Sequence, residues 1–173
     1  MVRPQPSPPS PSYPLPMTPS ILQLNASDGG VPKTPLDHAT VTTDGITGDA
    51  QRNTKSHGGP QRALCLFSAD VIATLQAEGH PIRPGDTGEN VTIAGLDWPA
   101  LAPGARLRLG ADVLIEITTY TTPCHHIAKY FHDGDSQHIS QPHNPGRSRL
   151  YARVIETGSL RPGDPVEVLP PQA

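Results

Sequence analysis

Aromatic residues are scarce in this chain: two Phe, one Trp and four Tyr make up 4% of 173 positions, and hydrophobic residues reach only 35%. No apolar run approaches the ~20 residues of a membrane span, and residues 1–24 lack the apolar stretch of a secretory signal. A soluble protein in a reducing, cytoplasmic setting, with no membrane partner, is the expectation. Cysteine is nearly absent as well. Cys65 and Cys124 could pair, but two cysteines make no disulfide framework. Positive charge is not in excess: Lys and Arg number 13 against 16 Asp and Glu, a net charge of −3. That balance argues against a broad nucleic-acid footprint. The abundant residues are Pro (22) and Gly (16), which point to a turn-rich, mainly β protein rather than a helical bundle. The length suits one domain with a real core and is too short for two large ones.

Residues 1–20 carry eight prolines and almost nothing that forms a core, so a disordered extension of polyproline II character is expected. It reads either as a ligand for a proline-binding module or as an unstructured extension with Met17 as the natural start. The folded domain is expected over 21–173. Ile21 to Asn25 alternates as a first strand and His38 to Thr42 reads as a second. Residues 44–60 form a polar, Gly-rich loop. Ala63 to Phe67 reads as a buried strand. Ser68 is a helix N-cap, Val71, Ile72 and Leu75 form an apolar stripe, and Gly79 ends the helix. Val91 to Ile93 is a strand, and Arg106 to Leu109 with Val113 to Thr118 is a hairpin. Cys124 to Phe131 makes one or two helical turns with Ile127, Ala128 and Phe131 on one face. Residues 132–148 form a mobile flap, and Tyr151 to Glu156 and Val166 to Leu169 are a final pair of strands. Seven or eight short strands with regular turns predict a closed or partly closed barrel with one or two short helices.

Four places carry residues suited to chemistry. Pro123-Cys124-His125-His126 sets a thiol between a strand and a helical turn, where a helix N-terminus favours the thiolate. Thiolate binds soft metals or carries sulfur; the other reading is a buried, inert cysteine. His57-Gly58-Gly59-Pro60 lets backbone approach an anion closely, with Arg52, Lys55 and Arg62 nearby, or is an ordinary glycine turn with surface charge. Glu89 and Asn90, in Gly85-Asp86-Thr87-Gly88-Glu89-Asn90, either brace a loop or reach a cofactor. His125, His126, His132, His138 and His143 supply nitrogen donors near Cys124, without recognised zinc spacing. Cys65, inside a core strand, reads as a packing residue.

Taken in order, these motifs resemble the MOSC family, found at the C-terminus of molybdenum cofactor sulfurases and as stand-alone bacterial proteins. The resemblance runs over about residues 29 to 168. It rests on Gly30-Val31-Pro32-Lys33, Gly45-Ile46-Thr47-Gly48-Asp49, His57-Gly58-Gly59-Pro60, Gly85 to Asn90, Gly95-Leu96, Pro123-Cys124, Tyr151-Ala152-Arg153-Val154 with Gly158, and Arg161-Pro162-Gly163-Asp164. It implies a MOSC-type β-barrel and makes Cys124 the family cysteine, a ligand to molybdenum or a carrier of sulfane sulfur. It also implies molybdenum cofactor (molybdopterin) as the bound group, with His57, Gly58, Gly59, Arg62, Glu89 and Asn90 as candidate contacts. The family is associated with pyridoxal phosphate too, but the desulfurase domain is missing, and Lys33, Lys55 and Lys129 stand in no setting that suggests a Schiff base. Two functions follow from the resemblance. The first is a molybdenum-dependent oxidoreductase acting on small N-hydroxylated compounds, its electrons coming from an external donor because no flavin or iron–sulfur motif is present. The second is a non-enzymatic persulfide carrier that takes sulfur from a separate donor protein for metal–sulfur cluster assembly.

Overall fold

The structure is a computed structural model that describes residues 18–50 and 58–172. The Pro-rich segment up to residue 17 and the readings made for His57, Arg52 and Lys55 lie outside the described residues.

Among the described residues, eleven strands form two sheets. They are β1 (Ser20–Ala26), β2 (Thr34–Leu36), β3 (Ala39–Thr42), β4 (Gly45–Ile46), β5 (Leu64–Ser68), β6 (Val91–Ala94), β7 (Arg106–Leu109), β8 (Val113–Tyr120), β9 (Leu150–Glu156), β10 (Gly158–Leu160) and β11 (Val166–Val168). The larger sheet has the order β11-β7-β8-β9-β5-β6-β1-β2, and the smaller β10-β3-β4. Every pairing is antiparallel except β5 with β6. A parallel pair needs a crossover, supplied by helix α1 (Ala69–Ala77). The eight-stranded sheet curls so that the start of β1, the strand next to its β2 edge, meets the chain entering β11 at its other edge. Ile21 N donates to Asp164 O (2.9 Å), Gly163 N to Ile21 O (2.7 Å) and Val166 N to Pro19 O (2.9 Å). The fold is mainly β as expected, but the barrel is not closed: a few backbone bonds link the start of β1 to the chain entering β11, and β2 remains an edge.

Alternation along the strands decides what fills the barrel. Leu64 and Leu66 of β5, Val113, Ile115 and Ile117 of β8, and Leu150, Ala152 and Val154 of β9 all point into one apolar core. Each large aliphatic side chain buried this way contributes about 1.5–3 kcal/mol. A second cluster forms outside the barrel, where Ile72 and Leu75 of α1 pack on Phe67, Ile127, Phe131 and Ile139. The Ser68 hydroxyl accepts from Val71 N (3.1 Å), the expected N-cap.

Several elements differ from the sequence reading. The strands expected at the C-terminus exist but do not pair with each other: β9 lies between β8 and β5, and β11 joins β7. Nor is the segment 132–148 a free flap. Ile139 is buried in the second cluster, a short 3-10 helix spans Ser136–Ile139, and Trp98 Nε1 donates to Ser148 O (2.8 Å). Its polar composition concealed one apolar anchor and a dense set of local bonds. No helix of the described residues is long and apolar enough to cross a membrane.

Candidate functional site

A cleft of about 780 Å³ opens where the end of β8, the start of β9 and the loops after β1 and before β6 converge. Ligand pockets commonly fall between roughly 300 and 1,000 Å³. Cys124 and Cys65 both line it, together with Lys33, Arg62, Lys129, Arg149, His125, His126 and Tyr151.

Cys124 reaches the cleft because the chain leaves β8 at Tyr120 and turns. Thr121 N donates to Arg149 O (2.9 Å), Pro123 is buried, and Cys124 itself is extended (φ −115°, ψ 169°). A six-residue 3-10 helix, His125–Tyr130, follows. Ile127 and Phe131 fix that turn in the second apolar cluster, which leaves the Cys124 thiol half-buried at the cleft wall.

Cys65 is placed differently from the packing role read from the sequence. Its neighbours Leu64 and Leu66 face the barrel core, so the two-residue period of β5 turns Cys65 toward the cleft floor. Burial pushes its thiol pKa up, with the Arg149 guanidinium opposing the shift. A protonated, buried thiol is a poor nucleophile. Iodoacetamide is therefore expected to alkylate Cys124 readily in the native protein and Cys65 only on unfolding. Peptide mass mapping reads this directly, and equal labelling of both would contradict it.

Arg149 and Tyr151 come from the same alternation in β9. Leu150 and Ala152 enter the core, and the residues between them face the cleft. Arg149 is only 4% exposed. One Nη donates to Thr87 O (2.5 Å), while Nε has no partner among the described residues. No carboxylate forms an ion pair with it among those residues. A buried cation without a direct ion pair is costly even with the Glu89 carboxylate near enough to interact with it, so its place in the wall of an open cleft fits recognition of an anion. The Arg62 guanidinium lies 5.4 Å from the centre of the Tyr151 ring. Burial raises the Tyr151 pKa well above the ordinary phenol value, which keeps its hydroxyl protonated.

Glu89 and Asn90 lie beneath the cleft and are occupied by the protein. Glu89, 0% exposed, accepts from Gly85 N (2.6 Å), Thr87 Oγ1 (2.7 Å) and Thr92 Oγ1 (3.2 Å). Asn90 Oδ1 accepts from Cys65 N (3.0 Å), and its Nδ2 donates to Asp49 Oδ2 (2.9 Å). Neither side chain lines the cleft; their loop contributes Thr87 and Gly88 instead. Asp49 also accepts from Lys33 Nζ at 2.5 and 2.6 Å. Lys33, read from the sequence as part of the Gly30-Val31-Pro32-Lys33 motif and in no setting for a Schiff base, is buried and ion-paired at the cleft edge. Gly85 joins these loops. Its φ is +90°, and a Cβ there would run into the Lys33 carbonyl oxygen.

Of the remaining candidates, Arg62 lines the cleft, whereas Gly58 and Gly59 precede the short helix Pro60–Arg62 without lining it. The histidines divide. His125 and His126 stay beside Cys124, His143 bonds Ser140 (3.0 Å), and His132 and His138 gather around His80 elsewhere. Arg149 went unnoticed in the sequence, and Tyr151 was read only as the start of a strand and of a closing motif, not as a site residue. The available signal was an arginine two positions before a tyrosine, alternating with the apolar Leu150 and Ala152 of a strand.

Known proteins resemble this chain in sequence and in fold. The uncharacterized protein YflK of Bacillus subtilis (strain 168) is 29% identical over 142 residues, covering 81% of this chain and 63% of that protein. A protein named reductase, from Gibberella moniliformis (strain M3125 / FGSC 7600), is 27% identical over 129 residues, covering 72% of this chain and 22% of that protein. The chain thus spans less than two thirds of the length of either relative. The crystal structure of YiiM from Geobacillus stearothermophilus superposes with a TM-score of 0.70 at 23% identity, over 88% of this chain and 75% of that one. That likeness shows a shared fold. The MOSC domain profile matches residues 53–167, well over half of the sequence, and the protein accordingly belongs to the MOSC domain family.

Proposed function

We propose that the cleft binds molybdenum cofactor, with Cys124 as the thiolate ligand to the metal, and that the protein reduces small N-hydroxylated compounds. The observation that carries this reading is the pairing, in one cleft, of an accessible thiol with a buried arginine whose Nε has no partner among the described residues. Molybdenum cofactor is a metal centre on a phosphorylated pterin and asks for both features: a soft donor for the metal and cations for the anionic oxygens. The donor set fits. Cys124 would hold the metal, and Arg149, with Arg62 and Lys129 on the same walls, would meet the negative charge. When bound, the group supplies the two-electron chemistry at the substrate oxygen.

The chain's own part is binding, orientation and electrostatics. The turn at Pro123 and the buried Ile127 fix the direction of the Cys124 thiol. Arg149, tied to Thr87 O, brings positive charge to the cleft floor. Tyr151 keeps its proton on Oη and Cys65 keeps its proton on Sγ, so neither adds negative charge beside an anionic ligand. The electrons would come from an external donor. The fungal relative named reductase lends support to the reaction class.

Arg149→Met separates ligand binding from folding. Losing a charge-assisted bond worth about 1.5–3 kcal/mol should cut cofactor retention about 10- to 100-fold. Melting of the unliganded protein should change far less than retention does, because the variant loses the bond to Thr87 O and the positive charge near Glu89 but also removes a buried cation without a direct ion pair. Unchanged cofactor content in this variant, measured as molybdenum and pterin per chain, would contradict the reading.

A further inference from the structure

We propose that His80, His132 and Asp133 form a binding site for a divalent transition metal of the zinc class, outside the cleft. One ligand atom from each lies within 4.8 Å of the others, and none of the three lines the cleft. Two imidazoles and a carboxylate suit zinc, with a fourth position left to water. Zinc bonds of about 2.0–2.1 Å place tetrahedral ligands roughly 3.3 Å apart. The site therefore closes by a small inward shift, which His132 and Asp133 can make because both are exposed, whereas His80 is buried and fixed.

Ring orientation supports this assignment. His80 Nε2 faces Glu78 Oε2 at 4.0 Å, and Glu78 is itself held by Arg147 through two bonds of 2.6 and 3.0 Å. The other ring nitrogen, Nδ1, accepts a long bond from the His132 backbone N–H (3.3 Å), which a metal at Nδ1 would replace, and so faces the segment that carries the other two ligands. Metal-binding histidines commonly present their second nitrogen to a carboxylate, and metal-binding carboxylates are themselves hydrogen-bonded. Asp133 meets that second condition: His138 Nε2 is 2.7 Å from its Oδ2. Stacking of His80 on His132 (ring centroids 4.5 Å apart) keeps the two imidazoles together before any metal arrives.

Bound metal would clamp the chain beyond Tyr130 to the turn that ends α1. The 3-10 helix that follows Cys124 ends at Tyr130, two residues before His132, so the clamp would brace one wall of the cleft.

The test is titration of the full, chelator-treated chain with zinc chloride, read by calorimetry and by thermal melting. One equivalent is expected to bind and raise the melting temperature, both in the wild type and in Cys124→Ser and the double variant His125→Ala/His126→Ala. Affinity should fall at least about tenfold in His132→Ala and in Asp133→Asn, two exposed positions where folding is not at stake. Absence of saturable binding, unchanged affinity in His132→Ala, or binding lost in Cys124→Ser or in the double variant would each overturn the proposal. Because His80, His132 and Asp133 all lie outside the cleft lining, failure of the cofactor reading leaves this outcome unaffected.

Discussion

Cys124→Ser is expected to lower molybdenum retention and N-hydroxy reduction by more than about a hundredfold while leaving the melting temperature within error of the wild type. Even outer partners of metal ligands are worth about 10–100-fold, and here the ligand itself changes. A serine hydroxyl is not ionised at neutral pH and is a harder donor than sulfur. The fold should not notice, because the turn is anchored by Ile127 and Phe131 on one side and by the Thr121 N to Arg149 O bond on the other. The thiol is half-buried and fills no core position. Serine should likewise abolish persulfide formation, so wild-type behaviour in the variant would exclude both the reductase and the sulfur-carrier readings. A persulfide mass increment on wild-type Cys124, without molybdenum, would favour the carrier.

Lys33→Ala should produce the largest loss of stability, about 3–5 kcal/mol, the usual consequence of stranding one member of a buried ion pair. The side chains of Lys33 and Asp49 are only 7% and 5% exposed. With the ammonium gone, the Asp49 carboxylate keeps Ser27 N (3.0 Å) and Asn90 Nδ2 (2.9 Å) as donors but loses its counter-charge. Through Asn90 the damage reaches Cys65 N, and through Gly85 it reaches the Glu89 loop. Three motifs far apart in sequence thus depend on one pair. For a domain of this size each kcal/mol shifts the melting temperature by about 2–4 °C, so a fall of roughly 6–20 °C is expected. A fall of a degree or two, as for an exposed pair, would mean that the pair is solvated in solution.

The longer strands, the capped helix and the apolar face of the Cys124 turn were legible because each is set by local pattern, whereas the two- and three-residue strands β2, β4 and β10 were not read as strands. Ser68 is followed at the right spacing by Val71, Ile72 and Leu75, and Ile127 and Phe131 share a helical face. Pairing was less legible. Nothing local tells β9 to lie beside β5 rather than beside β11, because that choice depends on how the sheet closes on itself. The site divides along the same line. Cys124 and Arg62 could be found from their neighbours in sequence, and both reach the cleft. Glu89 and Asn90 were noticed for the right reason, as polar residues beside a turn, and their bonds serve the backbone and Asp49. Arg149 was hidden by the polar Pro- and Gly-rich stretch before it. Its burial follows from the strand that begins at the next residue and from the closure of β8 over β9.

The most direct test of the account is the molybdenum and pterin content of wild-type protein and Cys124→Ser, both purified from a host that makes the cofactor. The cleft as described predicts close to one molybdenum per wild-type chain and almost none in the variant. Equal molybdenum in the two proteins, or none in a wild type reconstituted with isolated cofactor, would contradict it.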